Sequence, residues 1–149
     1  MKITLTEGCI CDSLIIDGKE SSEYTSEELI SVIRKILYNE SSKFNLINFL
    51  DLVIDIFSDY ASFVGDSCKY GHFLISFDKN EDIIVNNKYI KNFNEDEIRD
   101  IIIEIINSGK NKANLIWTLR GLIQDYGKYK FCYHCDECGD DVVEYKLEI

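Results

Sequence analysis

The sequence predicts an α+β fold, and three observations carry that reading. Short alternating runs at residues 2–7 and 13–17, and again at 72–77 and 83–85, read as β-hairpins. Each hairpin is followed by two segments whose apolar residues recur at helical spacing. This order then repeats at a constant offset of 69 residues. The chain is therefore expected to form one compact domain over residues 1–149, built from a first ββαα unit (1–70) and a second (71–127) about an approximate twofold. A C-terminal hairpin with a Cys-rich turn, residues 128–149, closes it.

The first hairpin turns at Glu7-Gly8-Cys9-Ile10-Cys11-Asp12. Thr25-Ser26-Glu27-Glu28 is a capping box, and Leu29, Val32, Ile33, Ile36 and Leu37 continue it as a helix. A second helix, from about 44 to 60, sets Leu46, Phe49, Leu50, Val53, Ile54 and Phe57 on a broad apolar stripe and Asp51, Asp55 and Asp59 on another face. In the second unit the hairpin turns at Asp78–Asp82 and Asn94-Glu95-Asp96-Glu97 caps a helix carrying Ile98, Ile101, Ile102, Ile105 and Ile106. A fourth helix is expected over 112–125.

The offset survives inspection residue by residue. Lys19 falls on Lys88, Glu28 on Glu97 and Ile36 on Ile105. Lys43, Asn45, Leu46 and Ile47 fall on Lys112, Asn114, Leu115 and Ile116, then Leu50 on Leu119 and Ile54 on Ile123. Such recurrence is the mark of internal duplication. Under it, Val142–Leu147 is the start of a third copy, matching Ile3–Thr6 and Phe73–Ser76. Trp117 takes the place of Asn48, a change from amide to indole that marks a specialised contact or local repacking.

Cys132, His134, Cys135 and Cys138 crowd into seven residues at the tip of the C-terminal hairpin. Thiolates and imidazole suit one four-coordinate structural zinc, and the Cys135-x2-Cys138-Gly139 turn lets two sulfurs hold one metal. No second such turn exists, so a fourth ligand comes from His134, Cys68, His72, Cys9 or Cys11. Free thiols and a disulfide are the other states open to these residues, and the absence of an export signal speaks against the disulfide.

Charge excludes partners. A formal net charge of −11 repels nucleic acid phosphates and anionic membranes. The strand-like start of the chain and the lack of a long apolar run predict neither a signal peptide nor a membrane span, hence a cytoplasmic location, and the absence of proline with the Ile, Asn, Lys and Asp bias fits an AT-rich bacterial or phage genome. No phosphate-binding Gly-rich loop, nucleophile-elbow or zinc-protease motif occurs. Cys68 with His72 is the one thiol and base pair on offer, at a loop-to-strand junction. Aspartates 12, 17, 78 and 82 fall in turns, where local backbone bonds account for them.

What remains is a non-enzymatic binding protein. Rows of carboxylates on helices, Asp51, Asp55 and Asp59 on one and Asp96, Asp100 and Glu104 on another, suit the cationic groove of a nucleic-acid-handling enzyme. In general character the chain is similar to toxin-immunity, anti-restriction and anti-CRISPR proteins. The alternative is a zinc-stapled adaptor that binds its partner through the C-terminal hairpin, where Tyr129, Phe131, Tyr133 and Tyr145 gather.

Overall fold

Two five-stranded antiparallel sheets and four α-helices make up the computed structural model, which describes residues 1–8, 12–40 and 42–149. The expected ligands Cys9 and Cys11, and part of the first hairpin turn, lie outside the described residues.

β1 (Lys2–Glu7) pairs with β2 (Ser13–Ile16), as expected from the alternation. The chain then reverses through Asp17 and Gly18, both at positive φ (49° and 79°), into a short strand β3 (Lys19–Glu20). This is the geometry of a two-residue primed turn, for which Asp-Gly is a favoured pair. The Asp17 carboxylate accepts from the Lys2 amide at 2.8 Å and pins the turn to β1. Helix α1 (Ser26–Asn39) starts at Thr25 with both bonds of the capping box present.

Helix α2 (Lys43–Ile56) stops short of the expected residue 60. Fully buried Phe57 leaves the helical conformation, and its carbonyl accepts from the Tyr60 amide to start the 3₁₀ turn Ser58–Tyr60. Asp59 therefore drops off the line that carries Asp51 and Asp55.

The second half opens with a hairpin that the alternation did not announce, β4 (Ser62–Val64) and β5 (Ser67–Tyr70). β6 (Phe73–Phe77), β7 (Ile83–Val85) and β8 (Lys88–Tyr89) follow, the last joined by Asn86 and Asn87 at positive φ. Asn86 repeats the work of Asp17, accepting from the Leu74 amide at 2.9 Å. Next come α3 (Glu95–Gly109), capped by Asn94 and Glu97, and α4 (Lys112–Tyr126). β9 (Lys128–His134) and β10 (Asp141–Glu148) form the expected C-terminal hairpin.

Strand order corrects two expectations. One sheet runs β3-β2-β1-β10-β9 and the other β4-β5-β6-β7-β8. Val142–Leu147 is thus not a counterpart of Ile3–Thr6. It pairs with β1 itself, Tyr145 opposite Leu5, in the place that β5 takes beside β6. Likewise Ile3 faces Ile16 while Ile75 faces Val85, so the strand register does not set Ile3 against Phe73 at the offset of 69 that places Ile16 on Val85. The cause is a connection between paired Leu5 and Leu14 that is longer than the one between Phe77 and Ile83. Sheet membership also crosses the division at residue 70, since residues 62–70 complete the second sheet and 128–148 the first.

The helices pack on one another, with α4 against β1 and β10 and α3 against β5. Tyr70 of β5 donates its hydroxyl to the Ile54 carbonyl of α2 at 3.3 Å. One apolar cluster results, joining Ile3, Leu5 and Ile16 of the first sheet to Ile75 and Val85 of the second through residues of all four helices. Reciprocal contacts tie the halves: Lys43 donates to the Lys91 carbonyl, and Lys112 to the Ser22 carbonyl. Arg99 adds a tie of its own from α3, its Nε on the Leu37 carbonyl at 3.0 Å and another nitrogen on the Glu40 carbonyl. A cation there adds a donor to carbonyls at the C-terminus of α1, where among the described residues Leu37 otherwise accepts only from the Glu40 amide at 3.2 Å, and complements the helix dipole.

Candidate functional site

Four carboxylates line a cleft of about 540 Å³ between α2 and the β6–β7 turn. Asp51 and Asp55 stand one helical turn apart on α2. Opposite them the turn contributes Glu81 and Asp82. The floor is apolar, from Ile47, Phe77, Ile83 and Ile90, and no lysine or arginine is among the lining residues.

The turn is built by Asp78. Its carboxylate accepts from the amides of Asn80 (2.9 Å) and Asp82 (3.0 Å) and from the Tyr89 hydroxyl (3.1 Å). These bonds, the Asp82 amide first, hold the Asp78 carboxyl below its ordinary value. Glu81 sits at φ 64°, a conformation rare for a side-chain-bearing residue and kept by the Glu81 amide bond to the Asp78 carbonyl. So the turn aims two carboxylates at the helix while Asp78 spends its own charge on backbone. Asp51 responds in the opposite sense. Loss of water at the cleft wall, then the charges of Asp55 and Glu81, raise its carboxyl above the ordinary value. Four like charges beside an apolar floor repel one another, and a cation placed among them would relieve both causes.

The other expected partner-binding residues are dispersed. Asp59 lies in the 3₁₀ turn after α2, and Asp100 is exposed on α3. Asp96 is paired with Arg99 at 2.8 Å, and Glu104 with His72 Nδ1 at 2.8 Å and the His72 amide at 3.2 Å. Glu81 and Asp82 are the residues that sequence reasoning missed. They sit in a turn, and nothing local tells which helix the turn faces.

The cysteine turn has different contents from those expected. Cys138 is disulfide-bonded, so its sulfur has no thiolate to offer a metal. Cys132 and Cys135 are free thiols, Cys132 exposed where the β9–β10 register shifts. His134 directs Nδ1 to the Asp141 carboxylate at 2.7 Å. The turn itself is shaped by backbone, with the Cys135 amide on the Asp140 carbonyl, the Gly139 amide on the Cys135 carbonyl, and Gly139 at φ 75°. Among the described residues no group of three or more His, Cys, Asp or Glu side chains is arranged to hold a metal ion. Cys132, His134, Cys135 and Cys138 therefore do not fit a zinc site in this state. Cys68 lies in β5 of the other sheet, and exposed His72 is engaged by Glu104, so neither supplies the missing ligand.

Among the described residues no helix is long and apolar enough to cross a membrane. The chain matches no protein-family model, no curated protein and no solved structure.

Proposed function

We propose that the chain is a non-enzymatic binding protein that neutralises a basic, nucleic-acid-handling enzyme, in the manner of an anti-CRISPR, anti-restriction or toxin-immunity inhibitor. The observation that carries this reading is the cleft: four carboxylates over an apolar floor, with no cation among the described residues that line it and the Asp51 carboxyl raised by desolvation and then by the charges of Asp55 and Glu81. A partner's lysine or arginine entering there gains a desolvated charge contact, and its methylene stem covers Phe77 and Ile83. Complementary charge also speeds encounter with such a partner and disfavours acidic ones.

We further propose that the two halves arose by duplication. The matching order of the two sheets, the paired roles of Asp17 and Asn86, and the reciprocal lysine bonds across the halves support it. On this view the cleft is a late specialisation of one copy.

The test is capture of partners from the source cell's lysate with nuclease present, followed by binding measurements on the captured protein. Reversal of Asp51 and Asp55 to lysine should weaken binding at least a hundredfold, an effect of about 2.7 kcal/mol. Reversal of Asp59 and Asp100 should change it less than threefold. Equal losses from both sets would remove the cleft from the interface, and an acidic captured partner would remove the inhibitor reading as a whole.

A further inference from the structure

Among the described residues the two sheets have four edge strands, and three of them are short: β3 and β8 have two residues each and β4 has three. The fourth, β9, has seven. Short edges are one of the devices by which soluble proteins avoid pairing with other chains, since an unpaired row of amides and carbonyls is a template for a further strand. β9 lacks that protection. All seven of its residues are exposed, and no strand among the described residues pairs with its outer side.

Its side chains add grip. Tyr129 and Phe131 are 59% and 49% exposed, and Tyr129 is braced by Tyr145 of β10 at a ring separation of 5.4 Å. The charge on the strand is of one sign. Lys128 and Lys130 are its charged residues, with His134 at the end, and no acid occurs in it, in a chain whose net charge is −11. The inner side of β9 already shows what the strand accepts. On β10, Glu144 lies opposite Lys130, Asp141 opposite His134 and Val143 opposite Phe131, while Lys128, at the start of the strand, faces Lys146.

We infer that the outer edge of β9 receives an extended, acidic segment of a partner protein, added to the first sheet as a sixth strand. Main-chain hydrogen bonds supply the affinity, Lys128 and Lys130 select for carboxylates, and Tyr129 and Phe131 cover the apolar residues between them. A second copy of the chain is a poorer occupant, because antiparallel pairing of β9 with itself brings two basic strands together without a carboxylate. The surface is independent of the carboxylate cleft, which lies against the other sheet, and of the reading placed on it.

The experiment titrates the isotope-labelled protein with a blocked octapeptide, Glu-Thr-Val-Glu-Val-Thr-Val-Glu, and with its counterpart carrying lysine for glutamate. The acidic peptide should shift the amide signals of residues 128–134, slow their hydrogen exchange, and bind at least tenfold more tightly than the basic one. The pair Lys128→Glu and Lys130→Glu, with an unchanged circular dichroism spectrum, should reverse that preference. Equal affinity for the two peptides, absence of binding, or shifts confined to other strands would overturn the inference. So would concentration-dependent dimerisation in the ultracentrifuge that perturbs the same amides, since it would make a second copy the occupant.

Discussion

Helices α2 and α4 hold the same place in their respective halves and present opposite chemistry. Inward, positions 69 apart agree: Leu46 and Leu115, Leu50 and Leu119, Ile54 and Ile123 are all buried. Outward, they diverge. Asn48, Asp51 and Asp55 of α2 stand where α4 has Trp117, Arg120 and Gln124. The first set lines the acidic cleft, and the second lines an apolar pocket of about 350 Å³ with Leu52 and Ile56. There the Arg120 guanidinium lies over Trp117 at 4.9 Å, reaches Glu7 only at 3.8 Å, and keeps a buried Nε without a hydrogen-bond partner among the described residues. The lesson is a division of labour within one helix. Packing constrains the buried third of the positions, and the solvent side is free to take whichever charge a function asks for.

Five substitutions test this difference between the helices. The largest effect is expected from Arg99→Ala, because the first half has Ile30 at the matching position and no equivalent tie. It removes the side-chain donor of the Glu40 carbonyl, leaves the Leu37 carbonyl only the longer bond from the Glu40 amide among the described residues, and should cost about 3 kcal/mol in chemical denaturation. Next is Gly121→Leu. A Cβ at Gly121 would stand 2.6 Å from Leu52 Cδ2, and residues 52 and 121 are 69 apart in the sequence. The change should cost about 2 kcal/mol by overpacking. Adding Leu52→Gly should restore at least half of the loss if the two helices are interchangeable at their crossing; no recovery would show that they are not.

Smaller effects belong to the outward positions. Asp51 titrates higher folded than unfolded, so its ionised form costs stability once pH exceeds the folded value, and the cost vanishes below the ordinary value of 3.8. Asp51→Asn should therefore raise the melting temperature at pH 7 by an amount worth under about 1 kcal/mol after solvent screening, and leave it unchanged at pH 3. A gain at both pH values would point to packing rather than charge. Asp78 has the reverse sign, since its lowered carboxyl stabilises the turn above the ordinary range and loses that contribution as pH falls. Least of all, Arg120→Gln should cost about 0.5 kcal/mol, because its pairing with Glu7 is long and partly solvated.

Much of the fold was legible in local sequence. Thr25 with Glu28 and Asn94 with Glu97 mark helix starts that the structure reproduces bond for bond. Asp17-Gly18 also announced a third strand, and a stricter use of turn chemistry would have found it. The β4–β5 hairpin was hidden for a physical reason. Phe63 and Val64 are adjacent exposed apolar residues on an edge, so they show no alternation. At the site, the α2 carboxylates were visible as a helical stripe, whereas Glu81 and Asp82 join them only through tertiary packing. At the cysteine turn the spacing left zinc, thiols and a disulfide open, because spacing reports proximity in sequence and does not fix the oxidation state of a sulfur such as that of Cys138.

The pairing of β1 with β10 carries a consequence for how the molecule is made. Met1 and Ile149 exchange backbone hydrogen bonds, at 2.7 and 2.9 Å, across a sequence separation of 148 residues. The second sheet, by contrast, is drawn from the continuous stretch between residues 62 and 89. Closing a long loop is slow, and neighbouring strands find one another first. The second sheet can therefore assemble on its own neighbouring hairpins, whereas the flank of β1 stays open until residues 141–148 are available to pair with it.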